Sequence, residues 1–270
     1  MILSKITKTK PSNKRNYTDP HKPRYADFSI LTPKDSLSDE HLKVVSYNIK
    51  YSKKIINAIK FIKSHNELND AHVICLQEMT GDAVELIAHA LGYNYVYYPA
   101  VFHNVLKKDF GNATLSRLPI SSDEKVILPH LDPRHTQRTA VNTTIEFKNQ
   151  HIFICNVHFK VLLKPSFRAD QLQHLLKSFP RQASQLIIAG DFNTFTKANS
   201  KAILDPLMEH DFIPATDGLG WSHQHWSLLN KKSQLDHIFI KGLNIHKTGK
   251  VDNRTSSDHI PIWAQLSLVT

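Results

Sequence analysis

Polar side chains that could do chemistry lie at the ends of six apolar runs in this 270-residue sequence. They are carboxylates, carboxamides and imidazoles, which bind metal ions, orient water and exchange protons. A single acid at the end of a strand is usually a turn or capping residue, but six such ends indicate an active site at the rim of a sheet. The residues are Asn48 in SYNI, Glu78 in ICLQE, His158 in CNVHF, Asp191 and Asn193 in IIAGDFN, Asp236 and His237 in QLDHI, and Asp258 and His259 in SSDHIPI.

The stretch LIIAGDFNT, residues 186–194, shows how such an end could be built. Its first four residues are typical of a fully buried strand, and Gly190 would allow a sharp turn at the end of that strand. Side chains two residues apart in an extended chain point to the same side, so Asp191 and Asn193 would project together. Taken alone, the stretch is compatible both with a strand-to-turn stop and with the lip of an active site.

The elements that would position these residues alternate along the chain from His41 onward. Apolar residues at positions 55, 56, 59 and 62 predict an amphipathic helix, and three more helices are predicted in AVELIAHALG, FRADQLQHLLKSF and ANSKAILDPLMEH. Gly92 is expected to end the second helix. The predicted order is βαβαβ, then hairpins, then βαβ and further strands. Many of the strands are apolar on both faces, which predicts helices that cover sheets and sheets that pack on each other.

The composition indicates a basic globular protein, with a formal net charge of +10 and a pI near 9.5. A basic surface attracts polyanions such as nucleic acid, anionic lipid headgroups or phosphorylated small molecules, and a lysine-rich composition without such a partner is the alternative. Cys75 and Cys155 lie in apolar runs without metal-ligand spacing, so buried free thiols are expected. No glycine-rich phosphate loop is present, which gives a dinucleotide-binding fold no support.

Residues 1–40 differ from the rest and are predicted to form a flexible basic N-terminal extension ahead of one domain at 41–270. Residues 1–24 contain seven Lys or Arg residues against one Asp, and prolines interrupt the segment. A solvated tail is favoured over a tail that docks onto polyanions or targets the protein. No apolar run approaches the roughly 20 residues of a membrane span and no signal peptide is evident. The protein is therefore expected to be cytoplasmic or exported by a route other than Sec.

The ordered set of motifs from Asn48 through LQE, NVHF, GDFN, LDH and SDH resembles the endonuclease/exonuclease/phosphatase superfamily, which includes deoxyribonuclease I. The resemblance covers about residues 42–268 and is closest in style to uncharacterised bacterial members. It implies an α/β fold that is a four-layer α/β sandwich, with two packed mixed β-sheets flanked by helices. It also implies metal-assisted attack of water on a phosphorus ester.

The resemblance assigns a role to each polar strand end. Glu78 matches the metal carboxylate of the family, Asn48 matches the amide beside the metal or phosphate, and Asp258 matches a metal or water ligand. The implied ion is Mg²⁺, with Mn²⁺ as a substitute, because it keeps several waters and binds few protein oxygens. Asp191 matches the base that positions the water; because an ordinary aspartate is a weak base at neutral pH, orientation of the water is expected to matter more than proton abstraction.

The remaining catalytic positions would surround the phosphate. Asn193 matches the amide that holds the aspartate or the phosphate, and His158 matches a phosphate-contacting histidine. His259 matches the C-terminal histidine, which Asp236 would orient and keep cationic. Four further residues are predicted substrate contacts, and His237 is assigned a structural role. The predicted substrate contacts are Asn112, Arg117, Arg138 and Asn156.

Two departures from the family pattern bear on the substrate. Lys50 stands where apurinic endonucleases have an acid, which argues against an apurinic enzyme, and the R-x-W-x-x-R style loop of inositol 5-phosphatases is absent before LDHIF. A nuclease is favoured because phosphate contacts dominate affinity for nucleic acid. A phosphodiesterase or phosphatase acting on phospholipid headgroups, phosphoinositides or small phosphorylated molecules is the alternative, for which WSHQHWSLL would supply a partly apolar loop. A non-catalytic binding module is the third hypothesis, and no obligate protein partner is evident.

Overall fold

The computed structural model describes residues 14–30, 40–104, 106–131, 135–161, 163–225, 231–252 and 255–269. The strands in these ranges are β1 (Lys14–Asn16), β2 (Tyr25–Asp27), β3 (Leu42–Asn48), β4 (Val73–Met79), β5 (Asn94–His103), β6 (Lys108–Ser116), β7 (Ile120–Ile127), β8 (Thr139–Phe147), β9 (Gln150–His158), β10 (Gln185–Asp191), β11 (Ile213–Pro214), β12 (His223–Gln224), β13 (Lys232–Ser233), β14 (Asp236–Lys241), β15 (Leu243–Lys250) and β16 (Ile262–Leu268). The helices are α1 (Ile55–Lys63), α2 (Asn66–Asn69), α3 (Gly81–Leu91), α4 (Pro165–Lys177) and α5 (Lys197–Glu209), and one 3-10 turn spans Lys50–Ser52.

The first sheet has the strand order β1-β5-β6-β4-β3-β16-β15, and β2 also pairs with β5. At its centre β3 and β4 run parallel, joined by α1 and α2. Side chains on β3 alternate between two apolar layers because successive residues of a strand face opposite ways. Val45 and Tyr47 pack under α1 and α3, whereas Leu42 and Val44 face the second sheet.

The second sheet has the strand order β11-β14-β10-β9-β8-β7. Its central strands β9 and β10 are also parallel, with α4 as the crossover. On β10, Ile187 and Ala189 pack against the first sheet, and Leu186 and Ile188 pack under α4 and α5. Each fully buried aliphatic side chain of this kind contributes roughly 1.5–3 kcal/mol of transfer free energy. The chain therefore has the predicted architecture, a four-layer α/β sandwich.

The four helices predicted from the sequence are all present, and α2 is a short addition. Gly92 ends α3 as predicted, with φ of 72° in the left-handed region that glycine adopts most readily. Cys75 and Cys155 are both buried and free, in agreement with the expectation from their apolar surroundings. Among the described residues no helix is both long enough and apolar enough to cross a bilayer.

The described part of the N-terminal extension differs from the prediction of a flexible tail. Residues 14–16 and 25–27 pair with β5, and so belong to the first sheet. Between these strands, Arg24 donates two hydrogen bonds of 2.7 Å to Asp123 on β7, which ties the segment to the second sheet as well. An edge strand exposes unpaired backbone groups that another segment can satisfy whatever its side chains are, which is why a polar sequence did not predict this pairing.

Candidate active site

Strand register brings the predicted catalytic residues to one edge of the sandwich. Asp191 is paired with His158 on the parallel strand β9 and with Asp236 on the antiparallel strand β14. In the first sheet, Asn48 is paired with Gln77 at the same end of the parallel pair β3 and β4. The carboxyl ends of both parallel pairs therefore meet at this edge, where ligands of open α/β sheets commonly bind.

Gly190 has a different role from the predicted turn. It lies within β10, which continues to Asp191, so the chain does not turn at the glycine. A Cβ atom at this position would lie 1.8 Å from the carbonyl oxygen of Val157 on the neighbouring strand. Glycine is thus required by the close approach of two backbones, and this approach places Asp191 directly beside His158.

Asp191 is the centre of a buried hydrogen-bonded cluster. Its side chain is only 2% exposed, so its charge depends on the neighbouring groups. The amide nitrogen Nδ2 of Asn48 donates to Oδ2 at 3.0 Å, and the backbone N–H of Asn193 donates to Oδ1 at 2.9 Å. The Nε2 atoms of His158 and His259 lie 3.5 and 3.8 Å from Oδ2. We call these residues, together with Asp236, the catalytic cluster.

Asn193 supports Asp191 through both its backbone and its side chain. Its φ of 51° lies in the left-handed region, where asparagine is tolerated better than most residues, and this turns its N–H toward Asp191. Its side-chain Nδ2 donates to the carbonyl oxygen of Phe159 at 3.0 Å. Asn193 therefore fixes the end of β10 against the end of β9.

His259 is held as a cation by two carboxylates. Its Nδ1 lies 2.8 Å from Oδ2 of Asp236, whose side chain is 1% exposed. Burial alone would lower the pKa of His259, but the charges of Asp236 and Asp191 outweigh burial and raise it to about 10. The second ring nitrogen is left facing Asp191 and the opening of the site.

The pKa values of Asp191 and His158 shift in the directions expected from burial. Burial raises the pKa of Asp191 to about 7, with Asp236 adding to the shift and His259 opposing it. The prediction of an ordinary aspartate pKa was therefore wrong, because the sequence did not reveal the burial. Burial, reinforced by the charge of Arg138, holds the pKa of His158 well below its usual range, so this imidazole is neutral at pH 7.

Glu78 lies on an irregular part of β4. The register between β4 and β6 shifts between Leu76 and Met79, and Glu78 itself has a φ of 60°. Its Oε2 accepts the backbone N–H of Tyr51 at 3.1 Å, which joins the bulge to the 3-10 turn after β3. Burial, together with the nearby carboxylate of Asp258, raises the pKa of Glu78.

Lys50 is an ion-pair partner of Asp258. Its Nζ lies 2.6 Å from Oδ2 of Asp258, whose side chain is 16% exposed. His223 places its Nε2 at 3.8 Å from the same oxygen. Burial alone would raise the pKa of Asp258, but His223, Lys50 and His259 together hold it well below its usual value. We call Glu78 and Asp258 the carboxylate pair.

The donor set fits a hard divalent cation. The charge of Asp258 acts on the carboxylate of Glu78 and raises its pKa, and a divalent cation held by such oxygen donors would relieve this repulsion. Two sets of three side chains have donor atoms within 4.8 Å of one another, and neither includes Glu78: His223, Asp258 and His259, and Asp191, Asp236 and His259. The predicted metal role of Asn48 is less direct here, because its Oδ1 accepts the N–H of Lys50 and its amide faces Asp191.

Two of the four predicted substrate contacts lie beside the site. Arg138 is half-buried, its guanidinium packs 5.6 Å above the ring of Phe110, and its charge acts on both Glu78 and His158. Its Nε is buried without a hydrogen-bond partner among the described residues. Asn112 is buried and donates to the carbonyl oxygen of Thr139, the residue after Arg138, at 2.8 Å.

The other two lie elsewhere, in contrast to the prediction. Asn156 is fully buried between the sheets, where its side chain bonds Gln77 at 2.8 Å and the backbone oxygen of Ala113 at 2.8 Å. Arg117 follows the carboxyl end of β6, which is antiparallel to β4, and so lies at the opposite edge of the first sheet. It donates to the carbonyl oxygen of Asn69 at 2.6 Å.

Sequence reasoning missed a buried arginine beneath the cluster. Arg168 on α4 donates to the carbonyl oxygens of Phe192 and Lys160, the segments that follow β10 and β9. It shares the buried face of α4 with Leu172 and Leu175, and an arginine on an apolar helix face was the signal that could have revealed it. Of the WSHQHWSLL motif, residues 221–225 are described and place His223 against His259, whereas residues 226–229 lie outside the described ranges.

Comparisons with known proteins agree with this fold. The curated relatives that match include a UPF0294 protein of Vibrio vulnificus, 27% identical over 101 residues that span 37% of this chain and only 34% of that protein. A protein of the endonuclease/exonuclease/phosphatase family from Leptotrichia buccalis has a similar structure, with a TM-score of 0.66 at 18% identity, covering 84% of this chain and 100% of its own.

Two characterised proteins share the fold. D. rerio TDP2, solved in complex with a single-strand DNA product, has a TM-score of 0.68 at 16% identity, covering 85% of this chain and 100% of its own. The human nocturnin catalytic domain with bound sulfate has a TM-score of 0.64 at 20% identity, covering 85% of this chain and 94% of its own. The sequence model of the Endonuclease/Exonuclease/phosphatase family matches residues 45–259, which include most strands of both sheets and the whole catalytic cluster. The chain belongs to the endonuclease/exonuclease/phosphatase family.

Proposed function

We propose that this protein is a Mg²⁺-dependent phosphodiesterase that cleaves nucleic acid. The observation that carries the proposal is the buried carboxylate of Asp191, held by Asn48 and Asn193 and faced by two imidazoles. A carboxylate fixed in this way can orient water for attack on phosphorus, and a cationic histidine can stabilise charge on the phosphoryl oxygens. The net charge of +10 and the fold shared with a DNA-bound protein support nucleic acid as the substrate.

In the proposed reaction a water oxygen bonds to phosphorus while the bond from phosphorus to the ester oxygen breaks. Asp191 orients this water and accepts its proton, which a raised pKa makes possible near neutral pH. His259, kept cationic by Asp236, donates from Nε2 to a phosphoryl oxygen. The departing ester oxygen takes a proton from solvent.

The carboxylate pair would hold the metal ion, with Asn48 next to it. When bound, Mg²⁺ or Mn²⁺ would neutralise charge on the phosphoryl oxygens and make phosphorus more electrophilic. Arg138 would contribute a second cation on the Glu78 side of the site. His158, neutral and 3.5 Å from Asp191, would donate a hydrogen bond to substrate or water.

The test compares plasmid DNA, an oligonucleotide and a panel of phospholipids and phosphoinositides, each incubated with the full chain and Mg²⁺ at low salt. We expect nicking of the plasmid, no activity in EDTA, and a drop in kcat of about a hundredfold or more for Asp191→Ala. Full activity in EDTA would contradict the metal assignment.

Headgroup or phosphate release from the lipid panel without nicking would instead favour the alternative function, a lipid phosphodiesterase or phosphatase. Cleavage of none of these esters would favour the non-catalytic binding module. A matched control is Asp170→Ala, which removes an exposed carboxylate on α4 that pairs with His130 rather than with the cluster.

A further inference from the structure

A groove lined by lysines lies next to the catalytic cluster. It runs between the amino end of α5 and the ribbon formed by β12 and β13, and is an open groove with a volume of about 540 Å³, within the range of small-ligand sites. Four lysines line it against one acid, Asp205, which pairs with Lys201 at 3.4 Å. We call it the lysine groove; its lysines are Lys197, Lys201, Lys231 and Lys232.

The lysine groove is continuous with the active site. Thr194 and Phe195 line its near end and directly follow Asn193 of the catalytic cluster. The ring of Phe195 meets the ring of His223 edge-on at 5.9 Å, and His223 lies 4.6 Å from the ring of His259. A substrate whose reacting phosphate lies at His259 would therefore extend past His223 into the groove.

One aromatic side chain lines the lysine groove and a second lies beside it. Phe195 is half-buried in the groove wall. Beside the groove, the ring of Trp221 has Nζ of Lys232 at 4.2 Å and Nζ of Lys250 at 5.0 Å. Lysines that follow a phosphate backbone, interleaved with aromatic rings on which bases stack, are the features by which proteins bind single-stranded nucleic acid.

A lipid surface fits the groove less well. Peripheral membrane proteins insert exposed apolar side chains below the headgroups. None of the exposed large hydrophobic residues among the described residues lines the lysine groove. A row of exposed cations next to the proposed phosphodiester site, without exposed apolar side chains among them, suits a chain of successive phosphates better than a membrane.

We infer that the lysine groove binds the single-stranded nucleic acid on one side of the bond that is cut. The inference rests on the proposed function, since it extends the substrate of the same site by several nucleotides. It assigns binding, but no catalytic step, to Lys197, Lys201, Lys231 and Lys232. Small diesters that end at His259 do not reach these lysines, whereas oligonucleotides do.

The test measures binding without cleavage. A fluorescein-labelled oligomer of roughly twelve thymidines is titrated in EDTA with the full chain and with K197E/K201E, while fluorescence anisotropy is recorded. We expect affinity to fall about tenfold or more at low salt, and the slope of log K against log salt to fall by about 0.7 for each phosphate that is no longer neutralised. K231E/K232E, on the other wall of the groove, should lower the affinity and the salt slope in the same way.

The matched control is K60E/K63E, which makes the same charge change on the exposed face of α1. K197Q/K201Q tests the groove without reversing the charges, in case the charge reversal disturbs α5. We expect this variant to lose less affinity for the oligomer than K197E/K201E. Equal affinity of K197E/K201E and K60E/K63E would overturn the inference. So would binding by the full chain to anionic phosphatidylserine vesicles, lost in K197E/K201E, without binding to the oligomer.

Hydrolysis of bis(4-nitrophenyl) phosphate with Mg²⁺ separates this inference from the proposed function. We expect the groove variants to turn over this small diester at the rate of the full chain, and to lose activity only on oligonucleotides, through a higher KM. Failure of the full chain to hydrolyse either substrate would contradict the proposed function, while the binding experiment in EDTA would still decide the role of the groove. An equal loss on both substrates would overturn the assignment of these lysines to binding alone.

Discussion

The two halves of the active site are held in place in different ways. In the catalytic cluster, Asp191 and Asp236 are almost fully buried, and each is tied to neighbouring strand ends by hydrogen bonds. The carboxylate pair lies on irregular backbone, with Glu78 on a bulge and Asp258 at the mouth of the site. The residues of the 3-10 turn facing this pair, Lys50 to Ser52, all have positive φ values, between 32° and 57°.

If the proposed function is right, this difference separates a preorganised half from a half that would take up and release a cation. In the catalytic cluster, buried hydrogen bonds hold Asp191 and Asp236 before any ligand arrives, and such preorganisation is how electrostatic catalysis avoids reorganisation. Left-handed backbone at residues other than glycine costs of order 1 kcal/mol at each position, and several such residues in succession are typical of a functional site. On the carboxylate side this backbone brings Lys50 and the N–H of Tyr51 to carboxylates that a metal ion would otherwise neutralise.

The largest loss of activity is expected from substitutions in the catalytic cluster. His259→Ala removes the cation that Asp236 and Asp191 hold in place, so we expect kcat on plasmid DNA to fall about a hundredfold or more. The change should be in kcat rather than in oligonucleotide affinity, which distinguishes loss of chemistry from loss of binding. As a control, His246→Ala alters an imidazole that stacks on His41, remote from the cluster. Turnover within a few fold of the unchanged chain would mean that the cluster is not catalytic.

The stability of the protein should also depend on pH through His237, which follows Asp236 on β14 and packs against Phe192. Burial lowers the pKa of His237 to about 4, so the unfolded chain takes up this proton more readily than the folded chain between about pH 6.5 and 4. Its contribution to stability is complete above pH 6.5 and is lost as the pH falls. We expect His237→Gln to reduce the loss of unfolding free energy between pH 7 and pH 5 by about 2 kcal/mol.

Urea unfolding at the two pH values measures this difference within each variant, so a change in overall stability does not affect the comparison. The buried His158 also has a lowered pKa, and part of the pH dependence should therefore remain. His174→Gln, on the exposed face of α4, is the control that should leave the difference unchanged. An unaltered difference in His237→Gln would show that this imidazole does not titrate as its burial predicts.

For the carboxylate pair we expect a substitution that increases the affinity for Mg²⁺ rather than one that reduces activity. Lys50→Met removes the ammonium that lies 2.6 Å from Asp258, and the carboxylate pair then has one cation fewer. The affinity for Mg²⁺ should rise about tenfold, since an unpaired carboxylate near the surface gains on the order of 1–4 kcal/mol from a nearby cation. Isothermal titration calorimetry measures this directly, independently of activity. Lys53→Met is the control, because its ammonium packs on the ring of Tyr51; equal Mg²⁺ affinities in the two variants would remove Lys50 from the metal site.

The order of the elements and the strand ends that carry the cluster could be predicted from the sequence. Buried strands such as β10 are apolar on both faces, so a polar pair after them is conspicuous. What could not be predicted is how far each residue of a strand lies from the rim of the sheet. Asn156 and His158 share a face of β9, but two residues move the asparagine from the rim to the interface between the sheets, where it bonds Gln77. The sequence indicates which face of the strand each residue is on, but not where along the strand the opposing sheet begins to cover that face.

The direction of each strand within its sheet could not be predicted either. It distinguishes Arg117 from Arg138, which were both predicted to contact the substrate. Because β6 is antiparallel to β4, its carboxyl end lies at the edge opposite the site, and Arg117 lies there with its guanidinium 4.8 Å above the ring of Tyr93. Arg138 precedes β8 and lies where its charge acts on Glu78. Pairing geometry, rather than residue type, decides which arginine can contact the substrate.

The smallest effect on catalysis is accordingly expected from Arg117. Arg117→Gln should leave kcat/KM on DNA within about twofold, while lowering the unfolding free energy by about 1–2 kcal/mol, because it removes the hydrogen bond to Asn69 and the cation–π packing on Tyr93. Arg138→Gln, by contrast, should impair catalysis and raise KM on DNA by about tenfold. Steady-state kinetics and urea unfolding of both variants form the comparison. A large kinetic effect of Arg117→Gln with unchanged stability would place substrate at both edges of the first sheet, which a single site at the carboxyl ends of β3 and β4 does not allow.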